Sequence, residues 1–162
     1  MRLETQHDLK NEAQITYWNS AGGRHRAERQ QSQDAVLAPI LRATLERAQV
    51  RPGEHVVDIG CGTGASSIEL AERVGPSGQV LGVDVSALML ARAAKRLPPG
   101  APVKFERADA TTCQFRPRLS ISCFRALASC FFAEPARAFA TRRAALKPSG
   151  RLAFSCWRRF DE

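Results

Sequence analysis

The residues best suited to chemistry stand where a short apolar segment runs into a glycine-rich turn. Residues 56–64 read Val-Val-Asp-Ile-Gly-Cys-Gly-Thr-Gly, and helical apolar spacing follows over 65–74. Glycine permits positive φ angles and lets a ligand approach the backbone without interference from a Cβ atom. The first turn of the following helix adds free N–H groups and the positive end of the helix dipole. The sequence therefore predicts a binding loop for a ligand that is anionic or rich in oxygen.

Three carboxylates accompany this loop at the ends of apolar segments. Asp58 precedes the first glycine by two residues, Asp84 ends a second apolar segment, and Asp109 follows a third. A carboxylate accepts hydrogen bonds from two vicinal hydroxyls, and the carboxyl ends of adjacent parallel strands meet over one crevice. We therefore expect Asp84 to hold a ribose, while Asp109 is placed to accept from an adenine amino group. Taken singly, Asp84 and Asp109 fit a turn or helix-capping role equally well, and only their joint position favours a ligand site.

The elements that must position these residues alternate between strand and helix patterns. The predicted strands and helices, in chain order, are strand 55–59, helix 64–74, strand 79–83, helix 86–97 and strand 102–107. Ser86 is a candidate N-cap for the second helix. Because strands that alternate with helices form parallel sheets with right-handed crossovers, the order predicts a βαβαβ unit.

Further elements flank this unit on both sides. An apolar helical stripe precedes it, formed by Val36, Ile40, Leu41, Leu45 and Ala48, and Arg51-Pro52-Gly53 ends that helix. A helix over 135–146 follows, with proline in its first turn, then a turn at 147–150 and an alternating strand over 152–156.

With these motifs the chain resembles the class I S-adenosylmethionine-dependent methyltransferases. Asp58, Gly60, Gly62 and Gly64 match the acid-x-Gly-x-Gly-x-Gly form of that family's first motif. The resemblance implies an α/β fold with a Rossmann-like, mostly parallel sheet and helices on both faces. It also implies S-adenosyl-L-methionine as cofactor. No catalytic acid or base is expected, because the sulfonium already activates the methyl group.

Other segments look like the subgroup similar to ubiquinone and menaquinone biosynthesis methyltransferases. They are Ile15–Asn19, Ala27–Gln30, Leu81–Ser86 and Leu152–Trp157. This likeness covers about residues 11–112 and 131–157. It implies methyl transfer to a carbon or oxygen nucleophile on an apolar small molecule.

By resemblance, the glycine loop would hold the methionyl part of the cofactor, Asp84 the ribose, and Asp109 with the Ala110 backbone the adenine. The complete set of cofactor residues implied by the resemblance is Asp58, Gly60, Cys61, Gly62, Gly64, Asp84, Val85, Asp109 and Ala110. Cys61 is interpreted as a small residue tolerated in the loop rather than as a nucleophile. Tyr17 and Trp18 either fold over the cofactor or pack on the core.

Two alternatives remain open at the level of sequence. Gly60, Gly62 and Ala65 also fit the Gly-x-Gly-x-x-Ala pattern of nicotinamide and flavin enzymes, although Asp84 lies somewhat farther on than the roughly 20 residues expected there. The chain is alternatively a non-catalytic or truncated homologue that binds the cofactor without turning over a substrate.

Composition narrows the class of protein. A length of 162 residues with 44% hydrophobic content suits one globular domain, which we divide into a helical cap over 1–50 and a cofactor-binding unit over 51–162. The five cysteines are odd in number without Cys-x-x-Cys spacing, and the three histidines lack metal-ligand spacing, so neither a disulfide framework nor a metal site is expected. The sequence shows no signal-like start and no apolar run of membrane-spanning length, so we expect a cytoplasmic protein without membrane insertion.

The stretch after residue 112 departs from the family pattern. Residues 113–162 hold 10 Lys and Arg against 3 Asp and Glu, and Arg116, Arg118 and Arg125 fall where a central apolar strand belongs. We interpret the fourth strand as degraded, with a frame-shifted segment near 116–130 as our hypothesis. These arginines lack interleaved aromatic residues or glycines, so nucleic-acid binding is not expected.

The chain reaches Glu162 just after its fifth predicted strand. Because the resembled family continues through a final antiparallel hairpin, we expect the C-terminal strands of the full fold to be missing and the cofactor-binding unit to be incomplete there. An apolar sheet edge left uncovered would also permit self-association.

Overall fold

The computed structural model describes residues 11–112, 119–124 and 135–156, and these form a parallel sheet with helices on both faces. The helices are α1 (Glu12–Trp18), α2 (Ala21–Glu28), α3 (Gln30–Ala48), α4 (Ala65–Val74), α5 (Ala87–Ala94) and α6 (Pro135–Ala145). The strands are β1 (His55–Ile59), β2 (Gln79–Asp84), β3 (Val103–Arg107), β4 (Leu119–Phe124) and β5 (Leu146–Phe154). The predicted α/β class is confirmed.

The five strands are parallel and lie in the order β3-β2-β1-β4-β5. Across the sheet, Asp58 of β1 stands beside Gly82 of β2, which stands beside Phe105 of β3. The carboxyl ends of these strands therefore share one edge, as the βαβαβ pattern predicted. The strand order changes direction between β1 and β4, and ligands of open α/β sheets bind outside the carboxyl ends at such a point.

Two apolar clusters cover the two faces of the sheet. Leu45 and Leu70, from α3 and α4, pack with Val56 of β1 on one face. Val57 and Ile59, which alternate with Val56 along β1, pack on the other face near α6. Because successive side chains of a strand point to opposite faces, a strand covered on both sides must be apolar at nearly every position. The short apolar sequence of β1 therefore specifies a central strand.

Several sequence-based boundaries need correction. The fourth strand, interpreted as degraded, is present as β4 and pairs with both β1 and β5. Its sequence, Leu-Ser-Ile-Ser-Cys-Phe, contains none of the three arginines and includes residues that favour strands. The predicted turn at 147–150 belongs instead to β5, and a register irregularity between Leu119 and Ile121 accommodates it. Arg116, Arg118, Arg125 and most of the segment proposed to be frame-shifted lie outside the described residues, so that hypothesis stays a prediction.

The helices also differ in extent from the predictions. α3 starts at Gln30 and carries Pro39 within it, and Leu41, Leu45 and Ala48 are buried as the stripe predicted. Val36, counted in the same stripe, is 75% exposed, so the buried part of the stripe begins farther along the helix, at Leu41. α5 ends at Ala94, three residues earlier than predicted. Within the described residues, no helix combines the length and the apolarity needed to cross a bilayer.

Candidate functional site

The glycine loop joins β1 to α4 and has the backbone conformation that its sequence predicted. Gly60, Gly62 and Gly64 all have positive φ, at 67°, 56° and 87°. The backbone N–H groups of Gly60 and Cys61 both donate to the carbonyl of Val83, at 2.7 and 3.1 Å. These bonds fix the loop to the end of β2, so its position relative to the sheet is set by main-chain atoms.

Three of the implied cofactor residues lie behind this loop and outside the lining of the cavity described below. Asp58 is fully buried, and its Oδ2 accepts from the hydroxyls of Ser66 and Ser67, each at 2.6 Å. Cys61 is also fully buried, and a Cβ on Gly64 would lie 2.9 Å from the Ala93 Cβ. The structure therefore gives Asp58 and Gly64 roles in fixing α4 against β1 and α5.

Asp84 lies at the end of β2 and faces the glycine loop. Its Oδ2 accepts from the backbone N–H of Gly62 and its Oδ1 from that of Ser86, both at 2.9 Å. Burial raises the pKa of Asp84 above its ordinary value, and the backbone N–H groups of Ser86, Gly62 and Val85 offset part of that rise. A carboxylate has about four acceptor positions, so Asp84 can still accept from a ligand hydroxyl.

Asp109 follows β3 and lines the same cavity as Asp84. Its Oδ1 accepts from both the backbone N–H and the hydroxyl of Thr111, each at 2.8 Å. Its Oδ2 accepts from the side-chain amide of Asn11, 98 residues away in sequence, at 3.0 Å. Asp109 therefore connects the end of β3 to the amino-terminal part of the chain.

The helices α1 and α2 lie over this edge of the sheet and form a lid, which we call the cap together with the first half of α3. Asn19 holds it in place, because its amide donates to the carbonyls of Ile15 and Val85 and accepts from the Ala87 N–H, at 2.8, 2.9 and 3.0 Å. Ser86, the N-cap of α5 as predicted, donates to the carbonyl of Trp18 at 2.5 Å.

A cavity of about 540 Å³ lies between the cap and the sheet edge, which is ordinary for a small-molecule site. Six of the residues implied by the resemblance line it, namely Gly60, Gly62, Asp84, Val85, Asp109 and Ala110. Tyr17 and Trp18 line the opposite wall, with ring centroids 5.0 Å apart in an edge-to-face arrangement. Of the two interpretations of this aromatic pair, the structure favours the one over the cavity.

The cap wall also carries charge. His25, Arg26 and Arg29 of the α2 region line the cavity. Arg26 pairs with Asp34 at 2.8 Å, and Asp34 pairs in turn with Arg96 at 3.0 Å. Arg96 also donates to the carbonyl of Thr63 in the glycine loop at 2.6 Å. This chain of contacts links the cap to the loop through side chains.

Three residues around the site carry no local motif and were not predicted from the sequence. Asn11 and Gln14 line the cavity from the cap side, and Arg96, which follows α5, donates to the carbonyl of Thr63 in the glycine loop. Asn19 does lie in the segment Ile15–Asn19, which resembles known methyltransferases. That resemblance pointed to the segment but did not predict the contacts that Asn19 makes. Over the part of the chain that the structure describes, no group of three or more His, Cys, Asp or Glu is arranged to hold a metal ion.

Curated relatives match parts of the chain. An uncharacterized 37.1 kDa protein in transposon TN4556 of Streptomyces fradiae is 38% identical over 109 residues, which is 67% of this chain and 31% of that protein. The trans-aconitate 2-methyltransferase of Deinococcus radiodurans is 43% identical over 81 residues, 49% of this chain and 29% of the relative. The demethylmenaquinone methyltransferase of Geobacillus sp. is 49% identical over 47 residues, 29% of this chain and 20% of the relative. The chain thus spans about a third or less of these relatives.

Solved structures agree with the fold. Phosphoethanolamine N-methyltransferase 2 of Haemonchus contortus, solved with phosphomonomethylethanolamine and S-adenosylhomocysteine, superposes with a TM-score of 0.65 at 28% identity. That match covers 72% of this chain and 27% of the other. An S-adenosylmethionine-dependent methyltransferase of Mesorhizobium loti gives a TM-score of 0.60 at 32% identity, covering 72% of this chain and 51% of the other.

A family profile described as "Methyltransferase domain" matches residues 56–150, the stretch that contains the glycine loop and the five strands up to Gly150. It covers more than half of the chain, and the relatives include menaquinone-pathway enzymes of the kind that the sequence resembled. The family resemblance is therefore confirmed: the chain belongs to the methyltransferase domain family, within the class I S-adenosylmethionine-dependent methyltransferases.

Proposed function

We propose that this chain binds S-adenosyl-L-methionine between the cap and the sheet edge and transfers its methyl group to a carbon or oxygen nucleophile on an apolar small molecule. The observation that carries the proposal is the convergence of the glycine loop, Asp84 and Asp109 on one cavity. The similar Haemonchus contortus enzyme was solved with S-adenosylhomocysteine, a ligand of the same chemistry as the proposed donor, and this supports the proposal.

The residues present fit the donor. Asp84 lines the cavity, and its carboxylate keeps acceptor capacity for a ribose hydroxyl beside its backbone bonds to Gly62 and Ser86. Gly62 has space above its backbone, since the nearest atom to a Cβ placed there is the Met89 Sδ at 3.9 Å. We assign the adenine to Asp109 with Ala110, and the methionyl part to the backbone of Gly60 and Gly62.

The chain's contribution to methyl transfer is placement. The sulfonium of the bound donor supplies an already activated methyl group, so the protein has to orient donor and acceptor in line and exclude water. No acid or base is assigned to this task. The cap supplies apolar lining through Tyr17, Val36 and Leu37, which suits an apolar acceptor. As a domain division we propose a helical amino-terminal region over 1–50 and a cofactor-binding unit over 51–162.

Calorimetric titration with S-adenosylhomocysteine and with NADH tests the proposal. We expect the first ligand to bind and the second not to bind. Asp84→Ala should weaken S-adenosylhomocysteine binding at least tenfold, because the ribose hydroxyls lose their acceptor. Glu72→Ala, an exposed acid on α4, is the matched control and should bind as the parent does. Binding of NADH alone would overturn the proposal and support a dinucleotide enzyme.

The acceptor class needs a separate measurement. The chain is incubated with methyl-labelled donor and a small-molecule extract, and label is followed into apolar products by mass spectrometry. Label on carbon or oxygen, absent with Asp84→Ala, supports the acceptor part of the proposal. Cofactor binding without any labelled product favours the alternative of a non-catalytic homologue.

A further inference from the structure

Two buried hydrogen-bond acceptors on the cap have no partner within the described residues. They are Oδ1 of Asn11 and Oε1 of Gln14, and both side chains line the cavity. Asn11 is only 5% exposed, so bulk water does not donate a hydrogen bond to its oxygen. An unpaired buried acceptor costs free energy, and native structures normally provide it with a donor. Because both side chains line the cavity, a group that enters it can supply the missing donor.

The orientation of the Asn11 amide follows from its neighbour. Asn11 lies 3.0 Å from Oδ2 of Asp109. A carboxylate oxygen accepts hydrogen bonds, so the atom of Asn11 that faces it is the nitrogen. The oxygen of the same amide then necessarily points away from Asp109 Oδ2.

Counting acceptor positions defines the ligand group. Asp109 has one position left on Oδ2, because Oδ1 already accepts twice from Thr111 and Oδ2 once from Asn11. Asn11 Oδ1 adds a second acceptor on the adjacent amide. A primary amino group on an aromatic ring presents two N–H donors in one plane and matches such a pair. A ring carbonyl presents none, so it would leave Asn11 Oδ1 unpaired and the last acceptor position of Asp109 Oδ2 unfilled.

We infer that Asn11 is a specificity residue for the 6-amino group of the adenine, accepting one of its N–H donors through Oδ1 while Asp109 accepts the other. The inference rests on the proposed function and extends it to the cap. Asn11 precedes α1 in the chain, so the ligand that satisfies it also joins the cap to the end of β3.

The test compares S-adenosylhomocysteine with S-inosylhomocysteine, in which a carbonyl oxygen replaces the 6-amino group. We expect the parent chain to prefer the adenosyl ligand at least thirtyfold in calorimetric Kd. Asn11→Ala should weaken adenosyl binding about tenfold and leave inosyl binding nearly unchanged, so the preference narrows. Thr16→Ala, a change at an exposed position of α1, is the control and should retain the parent preference.

A merely structural role for Asn11 would weaken both ligands equally and leave their ratio unchanged, which would overturn the inference. If Asn11→Ala does not fold, Asn11→Ser replaces it: an adenosyl preference equal to the parent's overturns the inference, and a narrowed preference supports it. These outcomes differ from failure of the proposed function, in which S-adenosylhomocysteine does not bind the parent chain at all.

Discussion

The two walls of the cavity are built in different ways. The sheet wall is fixed by main-chain bonds and neighbours in sequence, such as the bonds from Gly60 and Cys61 to Val83. The cap wall is attached by side chains across long sequence separations, as in the contacts of Asn11 with Asp109 and of Asn19 with Val85. The residues behind the sheet wall are fully buried, whereas Tyr17 of the cap is 52% exposed.

The weaker attachment of the cap affects its local opening. Regions with few buried apolar contacts open locally at lower free energy than the core. The α2 helix has Gly22 and Gly23 as its buried residues, so little apolar area holds it down. We therefore expect the cap to open while the sheet wall stays folded, which would admit ligands without disturbing the glycine loop.

The largest effect is expected from a substitution that disrupts the sheet wall. Gly64→Val places a β-branched residue at φ 87° with its Cβ 2.9 Å from the Ala93 Cβ. Left-handed strain of about 1–2 kcal/mol adds to overpacking of about 1–3 kcal/mol, so we expect the free energy of unfolding to fall by about 2–5 kcal/mol. Urea denaturation measures it.

Gly100→Val is the matched control for that change. Gly100 has a similar φ of 77°, but a Cβ there meets nothing within 4 Å. The free energy of unfolding should therefore fall only by the left-handed strain of about 1–2 kcal/mol. Equal losses at the two positions would show that the packing of the loop against α5 does not limit stability.

A smaller effect is expected from detaching the cap. Asn19→Ala removes the side chain that bonds Val85 and Ala87, which should destabilise cap docking by about 1–3 kcal/mol. Hydrogen exchange should accelerate in α1 and α2 and stay unchanged in β1 and α4. Gln31→Ala, a change at an exposed position of α3 outside the cavity lining, serves as the control. Uniform acceleration across the sheet would contradict the separation of the two walls.

The smallest expected effect is on the pH dependence of the free energy of unfolding. Burial raises the pKa of Asp84 above 3.8, with the backbone bonds from Ser86 and Gly62 opposing that rise. Between the unfolded and folded pKa values the native state holds more protons, so stability falls as pH rises through that window and is constant above it. Unfolding of the parent relative to Asp84→Asn, followed from pH 3 upward, should show this fall.

Glu54 provides an internal control of opposite sign. Its burial raises the pKa, but the Arg51 N–H and the Arg151 guanidinium outweigh burial and hold it below 4.5. The contribution of Glu54 is therefore present above its unfolded pKa and is lost as pH falls through the folded value. As pH rises, the free energy of unfolding of the parent should therefore increase relative to that of Glu54→Gln. An increase of the same sign in the comparison of the parent with Asp84→Asn would contradict the desolvated environment of Asp84.

The sequence alone determined the sheet wall. The apolar run of β1, the alternate glycines and the acid at the end of β2 are local patterns, since strand burial and positive φ are decided by adjacent residues. They predicted a parallel βαβαβ unit and the convergence of Asp84 and Asp109, and the structure has both. The family assignment followed from the same residues.

Tertiary structure decided the rest. Whether an acid faces a cavity depends on how strands and helices pack, and Asp58, grouped with the ligand residues by its motif, bonds Ser66 and Ser67 behind the loop. β4 forms within the stretch that the sequence marked as unfavourable, and it pairs with β1 on one side and β5 on the other. The partnership of Asn11 with Asp109 spans 98 residues, and no local pattern encodes a contact that exists only once the cap has docked.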